Sequence, residues 1–195
     1  MDPLLLNLPE TLSTPRLLIR KYRAGDGPAI YALLERNENR AFLFPNVEEV
    51  ATLQTVEAAE LKARRHAAEW ESRKRFVMGI WTKTTTSYIG ELWIEPQNWE
   101  VPSFELGWFL DKGAQGKGLA TEATQLSLDF IFHHLHAHKI IVITRDTNHR
   151  SIKLAERIGF KREGHFREAR IEKGERYGLV YFGLLASEYS KTRSG

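Results

Sequence analysis

Hydrophobic residues follow two different periods along the chain. Spacings of three and four residues, typical of amphipathic helices, occur over residues 26–39, 46–74, 112–134 and 148–158. Shorter apolar or alternating runs, typical of strands, occur over residues 16–22, 76–81, 88–94, 104–110, 140–144, 160–167 and 176–185. The order of these elements predicts an α/β (α+β) fold, in which helices cover both faces of a mixed sheet of about seven strands.

The first two helices have local signals at their starts. Asp26, with a proline two positions later, is expected to cap the first helix. Asn46 and Glu49 fit a capping box at the start of the second helical region. We expect that region to break near Thr52 or Thr55.

Three runs of similar residues carry further predictions. Residues 42–45 are predicted to form an apolar loop. Residues 140–144 are almost continuously apolar, which predicts a strand that is buried on both faces of the sheet. A basic run in the second helical region predicts a solvated helix face, with a docking surface for an acidic partner as the alternative. Its members are Lys62, Arg64, Arg65 and His66.

Composition limits the class of protein. The 195 residues are predicted to form one domain over residues 14–190, with an N-terminal arm over 1–13 and a C-terminal tail over 191–195. The chain has no Cys, which excludes disulfides, thiolate metal ligands and a cysteine nucleophile. No apolar run approaches the ~20 residues that span a bilayer, and no signal peptide is recognisable, so a cytoplasmic protein is expected. The net charge of +3 is too small to indicate nucleic-acid binding.

A glycine-containing turn lies between a predicted strand and a predicted helix. It consists of Gln115, Gly116, Lys117, Gly118, Leu119 and Ala120. Two glycines let backbone N–H groups approach an anion closely, and the start of a helix favours negative charge. Lys117 adds a positive charge to the same turn. A plain strand–helix connection would look similar, but the pattern favours a ligand that carries phosphate.

Five further motifs accompany this turn. In chain order they are Thr14-Pro15-Arg16-Leu17, Glu105-Leu106-Gly107-Trp108, Asn148-x-x-Ser151, Ile158-Gly159-Phe160 and Glu163-Gly164. Together with the turn, which fits the pattern Gln/Arg-x-x-Gly-x-Gly/Ala, they resemble the RimJ/RimL-type branch of the GCN5-related N-acetyltransferase (GNAT) superfamily. The resemblance covers residues 14–189. It implies a mostly antiparallel sheet in which the strands at 104–110 and 140–144 splay apart to hold acetyl-CoA.

The resemblance also implies which residues would contact acetyl-CoA, the co-substrate of this family. The pyrophosphate would lie on residues 115–120, at the start of the following helix. The pantetheine arm would pair with the backbone of Trp108, Phe109 and Leu110. Asn148 would hydrogen-bond the pantetheine amides, and Ser151 would lie near the departing thiolate.

Acetyl transfer to an amine requires a group that accepts the proton of the amine. The resemblance points to Glu105 as this base, with Glu168 as the second candidate. Ser151 is the candidate proton donor, because Ala155 stands where many superfamily members carry a tyrosine. Gly178 stands where members of the branch often carry Asp, and this departure leaves the identity of the acceptor open.

The predicted function is therefore acetyl transfer from acetyl-CoA to a primary amine, with a protein N-terminal α-amine as the first choice of acceptor. We expect a monomer or homodimer with no membrane or nucleic-acid partner. A small-molecule amine, such as a polyamine or an aminoglycoside, is the first alternative, and a non-catalytic acyl-CoA-binding module is the second. The acids that keep the polyamine alternative open are Glu48, Glu49, Glu57, Glu60, Glu69 and Glu71.

Four histidines near the end of the helix at 112–134 suggest a metal site at first sight. They are His133, His134, His136 and His138. No carboxylate is suitably interleaved with them, and no Cys exists to complete a ligand set. Cationic side chains are also favoured at the C-terminus of a helix, so we expect no metal here.

Overall fold

The computed structural model describes residues 2–193, and over this range the chain forms eight strands and six α-helices. The strands are β1 (Thr11–Ser13), β2 (Leu17–Lys21), β3 (Phe76–Thr82), β4 (Tyr88–Asn98), β5 (Ser103–Leu110), β6 (Lys139–Arg145), β7 (Lys161–Glu172) and β8 (Glu175–Leu185). The helices are α1 (Gly27–Glu35), α2 (Asn39–Leu43), α3 (Val56–Glu71), α4 (Leu119–His133), α5 (His149–Ile158) and α6 (Ala186–Arg193). Short 3-10 helices cover Pro3–Leu5, Glu48–Thr52 and Lys112–Ala114. Every strand and long helix that the hydrophobic pattern predicts is present.

The strands form one sheet in the order β1-β2-β3-β4-β5-β6-β8-β7. The ladders β1–β2, β2–β3, β3–β4, β6–β8 and β7–β8 are antiparallel, while β5 and β6 run parallel. The predicted mixed, mostly antiparallel α/β fold is therefore confirmed. The parallel register joins Ser103–Lys139 to Glu105–Ile141 and stops there, although both strands continue.

Both ends of the chain contain more regular structure than the sequence indicated. β1 lies in the predicted N-terminal arm and pairs with β2, with Leu12 opposite Ile19. α6 continues to Arg193, so the first part of the predicted C-terminal tail is helical, and residues 194–195 lie outside the described range. Within residues 2–193, none of the helices has the length and apolar character that crossing a membrane requires.

The chain divides into two compact units. The first contains the residues up to Glu95 together with Trp108–Leu128, and the second contains Pro96–Gly107 and the chain from Asp129 onward. A hydrophobic core in the first unit joins side chains of α1, α3 and the neighbouring strands. Among its members are Tyr22, Ile30, Leu33, Leu34, Val77, Trp81, Tyr88 and Phe109. Ile30, Leu33 and Leu34 recur along α1 at the spacing that predicted this helix.

α1 ends earlier than predicted. Its last residue is Glu35, because Asn37 and Glu38 adopt φ angles of +54° and +56°, a left-handed conformation that does not continue a right-handed helix. α2 then starts at Asn39 and ends at Leu43. The prediction of a loop over residues 42–45 is therefore wrong at its start, because α2 covers the first two of these residues.

Asp26 occupies the predicted N-cap position of α1, but neither predicted side-chain cap forms, because ion pairs occupy the carboxylates of Asp26 and Glu49. Asp26 stands just before α1, but its carboxylate accepts hydrogen bonds from Arg20 at 2.7 Å and from the Arg23 N–H at 2.8 Å. Glu49 does not close a capping box with Asn46; it lies within a 3-10 helix and pairs with a lysine of α3.

The predicted break near Thr55 is confirmed. The Thr55 hydroxyl accepts a hydrogen bond from the Ala58 N–H at 3.1 Å, and α3 begins at the intervening Val56. This is the ordinary N-cap arrangement of a threonine, in which the side chain satisfies one of the unpaired N–H groups of the first turn.

β6, in the second unit, is buried on one face only. Ile140, Val142 and Thr144 are buried, whereas Ile141 and Ile143 are half-buried. The prediction that this strand is buried on both faces is therefore wrong. β6 pairs with β8 in an antiparallel ladder, and antiparallel sheets commonly leave one face open.

Candidate functional site

The glycine turn lies between β5 and α4, in the first unit. Gly116 and Gly118 both have φ of +75°, a conformation that side-chain-bearing residues rarely adopt. Residues 116–118 are exposed, whereas Leu119 is buried and begins α4. The first helical hydrogen bond here runs from the Glu122 N–H to the Gly118 carbonyl at 3.1 Å. The turn therefore presents exposed backbone at the N-terminus of a helix, which is an arrangement suited to a phosphate.

Asp111, which was not predicted from the sequence, lies between β5 and the glycine turn and fixes the backbone there through hydrogen bonds. Its carboxylate is 4% exposed and accepts hydrogen bonds from Arg36 Nε at 2.7 Å and Asn39 Nδ2 at 3.0 Å. It also accepts the Gly113 N–H at 2.9 Å. Burial opposes ionisation of this group, but the hydrogen bonds outweigh it and lower the pKa of Asp111. The only signal in the sequence is an acid directly after an apolar strand.

Three residues of β5 were predicted to accompany the pantetheine arm. Trp108 is half-buried, and Phe109 and Leu110 are buried, at 8% and 6% exposure. A Cβ on Gly90 of β4 would lie 2.2 Å from the Phe109 carbonyl oxygen, so this glycine permits the close approach of β4 to β5. Since the side chains of Phe109 and Leu110 are buried, these residues are suited to backbone contacts with a ligand.

Glu105 lies in the second unit, on the half-open face of the sheet. It is opposite Ile141 of β6 in the parallel register, and its side chain is half-buried. Alternation along β6 puts Ile143 and Arg145 on the same face as Ile141. Arg145 stacks on the Tyr177 ring, 3.9 Å from its centroid, and its charge is paired with Glu172 at 2.7 Å. Lys139 lies on this face by the same alternation, and it pairs with Glu163 at 2.6 Å. Glu105 therefore shares its face with apolar groups and with two basic side chains whose charges are compensated.

Asn148 and Ser151 are brought together at the start of α5. Asn148 is the N-cap residue, and its side-chain oxygen accepts a hydrogen bond from the Ser151 N–H at 3.3 Å. Gly159, with φ of +107°, ends the helix as predicted. The ordinary capping role of Asn148 is thus present, and its contact with pantetheine stays a prediction.

Glu168 occupies a different environment from Glu105. It lies at a register shift in the β7–β8 hairpin, between Phe166 and Arg170, and has φ of +50°. Its side chain is 67% exposed and pairs with Arg176 at 3.0 Å. Because it is exposed and already pairs with a guanidinium, Glu168 has the environment of a solvated surface carboxylate and not that of a catalytic base.

Gly178 of β8 is surrounded by polar atoms. Asp146, which follows β6, lies 3.0 Å through Oδ2 from Nε2 of His165 on β7. The hydrogen bond with His165 lowers the pKa of Asp146 below its ordinary value. A Cβ on Gly178 would lie 2.3 Å from Asp146 Oδ2, 2.6 Å from His165 Nε2 and 2.9 Å from the Phe166 carbonyl oxygen. The Asp146–His165 pair thus fills the space that a side chain at position 178 would need.

Replacing Gly178 by Ala is therefore expected to destabilise the protein by about 1–3 kcal/mol, the usual cost of overpacking. The measurement is the urea midpoint of unfolding, followed by circular dichroism. Gly164→Ala is the matched control, because its Cβ would meet only a Phe166 ring carbon at an ordinary 3.6 Å. Equal midpoints for the two variants would contradict this account of Gly178.

The basic run predicted to be a solvated helix face is only partly so. Lys62 and His66 are buried, at 3% and 2% exposure, whereas the side chains of Arg64 and Arg65 are more than half exposed. The ligating atoms of Glu49, His66 and Glu91 lie within 4.8 Å of one another. The Lys62 ammonium, however, contacts Glu49 at 2.7 Å and Glu91 at 2.9 Å, so it already supplies the positive charge between these carboxylates.

Known proteins match most of this chain in sequence. A family model described as "Acetyltransferase (GNAT) domain" matches residues 16–161. Over 179 residues the chain is 26% identical to the uncharacterized N-acetyltransferase YnaD of Bacillus subtilis (strain 168), an alignment that covers 92% of this chain and 99% of the relative.

Two solved structures share the fold at lower identity. RimL, the ribosomal L7/L12 α-N-protein acetyltransferase in complex with coenzyme A, aligns with a TM-score of 0.81 and 18% identity over 90% of this chain and 98% of that chain. The microcin C7 self-immunity acetyltransferase MccE, in complex with acetyl-CoA and AMP, aligns with a TM-score of 0.79 and 18% identity, over 88% and 93%.

These comparisons confirm the resemblance to the GNAT superfamily that the motifs predicted. The exposed glycine turn at the start of α4 has a geometry suited to the phosphates of coenzyme A, which is consistent with membership of this superfamily. With the family model matching residues 16–161, the chain belongs to the GNAT acetyltransferases and is an N-acetyltransferase that uses acetyl-CoA as its co-substrate.

Proposed function

We propose that this acetyltransferase modifies a protein N-terminal α-amine, and that residues 14–190 act as one catalytic domain. The observation that carries the proposal is the environment of Glu105: a half-buried carboxylate on a sheet face whose other groups are apolar, aromatic or charge-compensated. Such a face suits the start of a polypeptide better than a polycation. RimL, whose fold is similar, is a ribosomal L7/L12 α-N-protein acetyltransferase.

The proposed reaction is a direct transfer. The neutral amine nitrogen forms a bond to the acetyl carbon of acetyl-CoA, and the bond from that carbon to sulfur breaks. Glu105 accepts the proton that the amine nitrogen loses, directly or through a water molecule. Ser151 donates a proton to the departing thiolate and regains one through water as Glu105 releases the proton it took up. Asn148 binds the pantetheine amides. Residues 115–120 bind the pyrophosphate, with the backbone of residues 108–110 along the pantetheine arm.

The ordinary pKa of an α-amine favours it as the acceptor. At pH ~7.5 about one third of an α-amine with a pKa of ~7.8 is neutral, against ~0.1% of a lysine amine with a pKa of ~10.4. A site with a weak base therefore has far less deprotonation to perform on an α-amine than on a lysine.

Acids of the 48–71 region, which kept the polyamine alternative open, are largely engaged within the first unit. Glu49 pairs with Lys62, Glu71 with Lys21, and Glu69 with His66. Glu60 pairs with Arg64 and accepts the N–H groups of Gly25 and Gly27. Carboxylates that already have cationic or N–H partners attract a polyamine weakly, so the α-amine is the stronger proposal.

An acceptor panel tests the proposal. We expect the purified protein to acetylate a peptide with a free α-amine at least tenfold faster than spermidine, an aminoglycoside, or the same peptide with a blocked N-terminus and a free lysine. Release of free thiol from acetyl-CoA measures the rate. Faster transfer to spermidine or the aminoglycoside would contradict the α-amine proposal.

A thermal-shift measurement shows whether the purified protein used in the panel binds its co-substrate. A ligand that binds only the native state raises the melting temperature, so acetyl-CoA is expected to raise it in a concentration-dependent way. A clear shift combined with an inactive panel would contradict the α-amine proposal and indicate an acceptor outside the panel.

A further inference from the structure

The start of β2 reaches the glycine turn through one side chain. Arg16, which immediately precedes β2, donates a hydrogen bond from Nη1 to the Lys117 carbonyl oxygen at 2.9 Å. Its Nη2 lies 3.6 Å from the position that a Cβ on Gly118 would occupy. The guanidinium is thus packed against the turn itself, although about half of the Arg16 side chain is exposed.

This contact determines which way one peptide group of the turn faces. In a trans peptide the C=O and N–H bonds point in opposite directions. Holding the Lys117 carbonyl on the Arg16 side therefore directs the Gly118 N–H to the other side. The glycines on either side of Lys117 have φ of +75°, and glycine has little intrinsic preference among backbone conformations. Without Arg16, this peptide plane would rotate more freely.

Arg16 also compensates a charge at the start of α4. Glu122 lies in the first turn of this helix, where its carboxylate would repel a bound phosphate. Arg16 Nε donates to Glu122 Oε2 at 2.6 Å, and the Thr14 hydroxyl donates to Glu122 Oε1. Partial burial opposes ionisation of Glu122, but the hydrogen bonds from Thr14 and Arg16 lower its pKa, so it is a carboxylate at neutral pH.

We propose that Arg16 is a positioning residue for acetyl-CoA. It holds the Lys117–Gly118 peptide so that the Gly118 N–H faces the pyrophosphate, and it neutralises Glu122 beside that site. The guanidinium acts through the turn and does not itself bind phosphate. The proposal rests on the assignment of residues 115–120 to the pyrophosphate under the proposed function. It gives a physical role to Thr14 and Arg16 in the motif that opens β2.

The test compares ligands with and without the pyrophosphate. Arg16→Gln is expected to weaken binding of coenzyme A and of 3′-dephospho-coenzyme A by about tenfold each, the usual effect of losing a hydrogen bond to a charged group. Inhibition by pantetheine, which lacks the pyrophosphate, should be unchanged. Calorimetry gives the two dissociation constants, and competition against acetyl-CoA gives the inhibition constant. With saturating acetyl-CoA, kcat should stay near the wild-type value.

Two further variants strengthen the test. Arg16→Lys keeps the positive charge and one nitrogen that donates hydrogen bonds, so it should recover part of the affinity for coenzyme A that Arg16→Gln loses. Thr14→Val removes one partner of Glu122 without touching the turn, and should cause a smaller loss with the same ligand pattern. Arg64→Gln is the control, because Arg64 is an exposed residue of α3 that pairs with Glu60 on the same helix.

Several outcomes would overturn the proposal. An equal loss for pantetheine would indicate general damage to the protein, and unchanged affinity for coenzyme A would remove any role for Arg16. If the wild-type protein binds pantetheine as tightly as coenzyme A, the assignment of residues 115–120 fails, and this proposal fails with it.

Discussion

Exchanging Glu105 for Gln is expected to lower kcat by about 10²–10³-fold, which is the usual contribution of a general base. The exchange keeps the size and shape of the side chain but removes its ability to accept a proton. Glu105 lies on β5 within its hydrogen-bonded register, so the backbone should stay in place. The dissociation constant for acetyl-CoA should therefore be unchanged, and the loss should appear in turnover alone.

The control variants for this prediction lie in the same unit. Glu100→Gln alters an exposed acid in the loop before β5 and should retain full activity. Glu168→Gln tests the second candidate base, which is exposed and paired with Arg176, and should retain most of the activity. Steady-state rates with saturating acetyl-CoA and the preferred peptide decide between them. Full activity of Glu105→Gln together with a large loss in Glu168→Gln would reverse the two assignments.

Replacing Lys62 by Met is expected to destabilise the protein by about 3–5 kcal/mol, because it leaves buried carboxylates without their cation. The Lys62 side chain is 3% exposed, and its ammonium pairs with Glu91, which is 4% exposed, and with Glu49. Tyr22 donates a hydrogen bond to Glu91, and its hydroxyl also lies 2.6 Å from that of Tyr88. Methionine fills a similar volume, so the loss measures the uncompensated charge and not a cavity.

Urea unfolding of matched variants tests this prediction. Arg64→Met removes an exposed cation from the same helix, two residues away, and should change the free energy of unfolding by less than about 0.5 kcal/mol. Adding Glu91→Leu to Lys62→Met removes both partners of the buried pair and should recover part of the stability. A loss below about 1 kcal/mol for Lys62→Met would contradict the role assigned to this ion pair.

The spacing of hydrophobic residues and the preferences of individual residues predicted most of the helices and strands. The alternating and helical spacings predicted β2 to β8 and the four long helices, since each pattern is a property of neighbouring residues. The glycine turn could also be predicted, because positive φ at Gly116 and Gly118 is a local preference. Of the predictions that were wrong, the two-sided burial of β6 depended on its pairing with β8, which lies far along the chain, whereas the Asp26 cap failed because the nearby Arg20 binds its carboxylate.

The basic run shows why burial was harder to predict than helix formation. Lys62 and Arg64 are two positions apart on α3, which places them on different faces of the helix. The sequence does not show that Glu91, far along the chain, forms an ion pair with Lys62. Likewise, Asp111 is an ordinary residue in the sequence and Arg16 is noted there only as part of a motif. The contacts that these residues make with Arg36 and Lys117 become visible only in the structure.

The sequence by itself therefore determined the family, the co-substrate and the turn suited to its phosphates, because these depend on short motifs whose conformation is set locally. Only the tertiary structure decided which charged side chains are buried, which carboxylates already have partners, and how Arg16 holds the turn. The physical reason is that the burial and ion pairing of a side chain depend on residues that folding brings together from distant parts of the chain. A pattern of neighbouring residues does not specify those contacts.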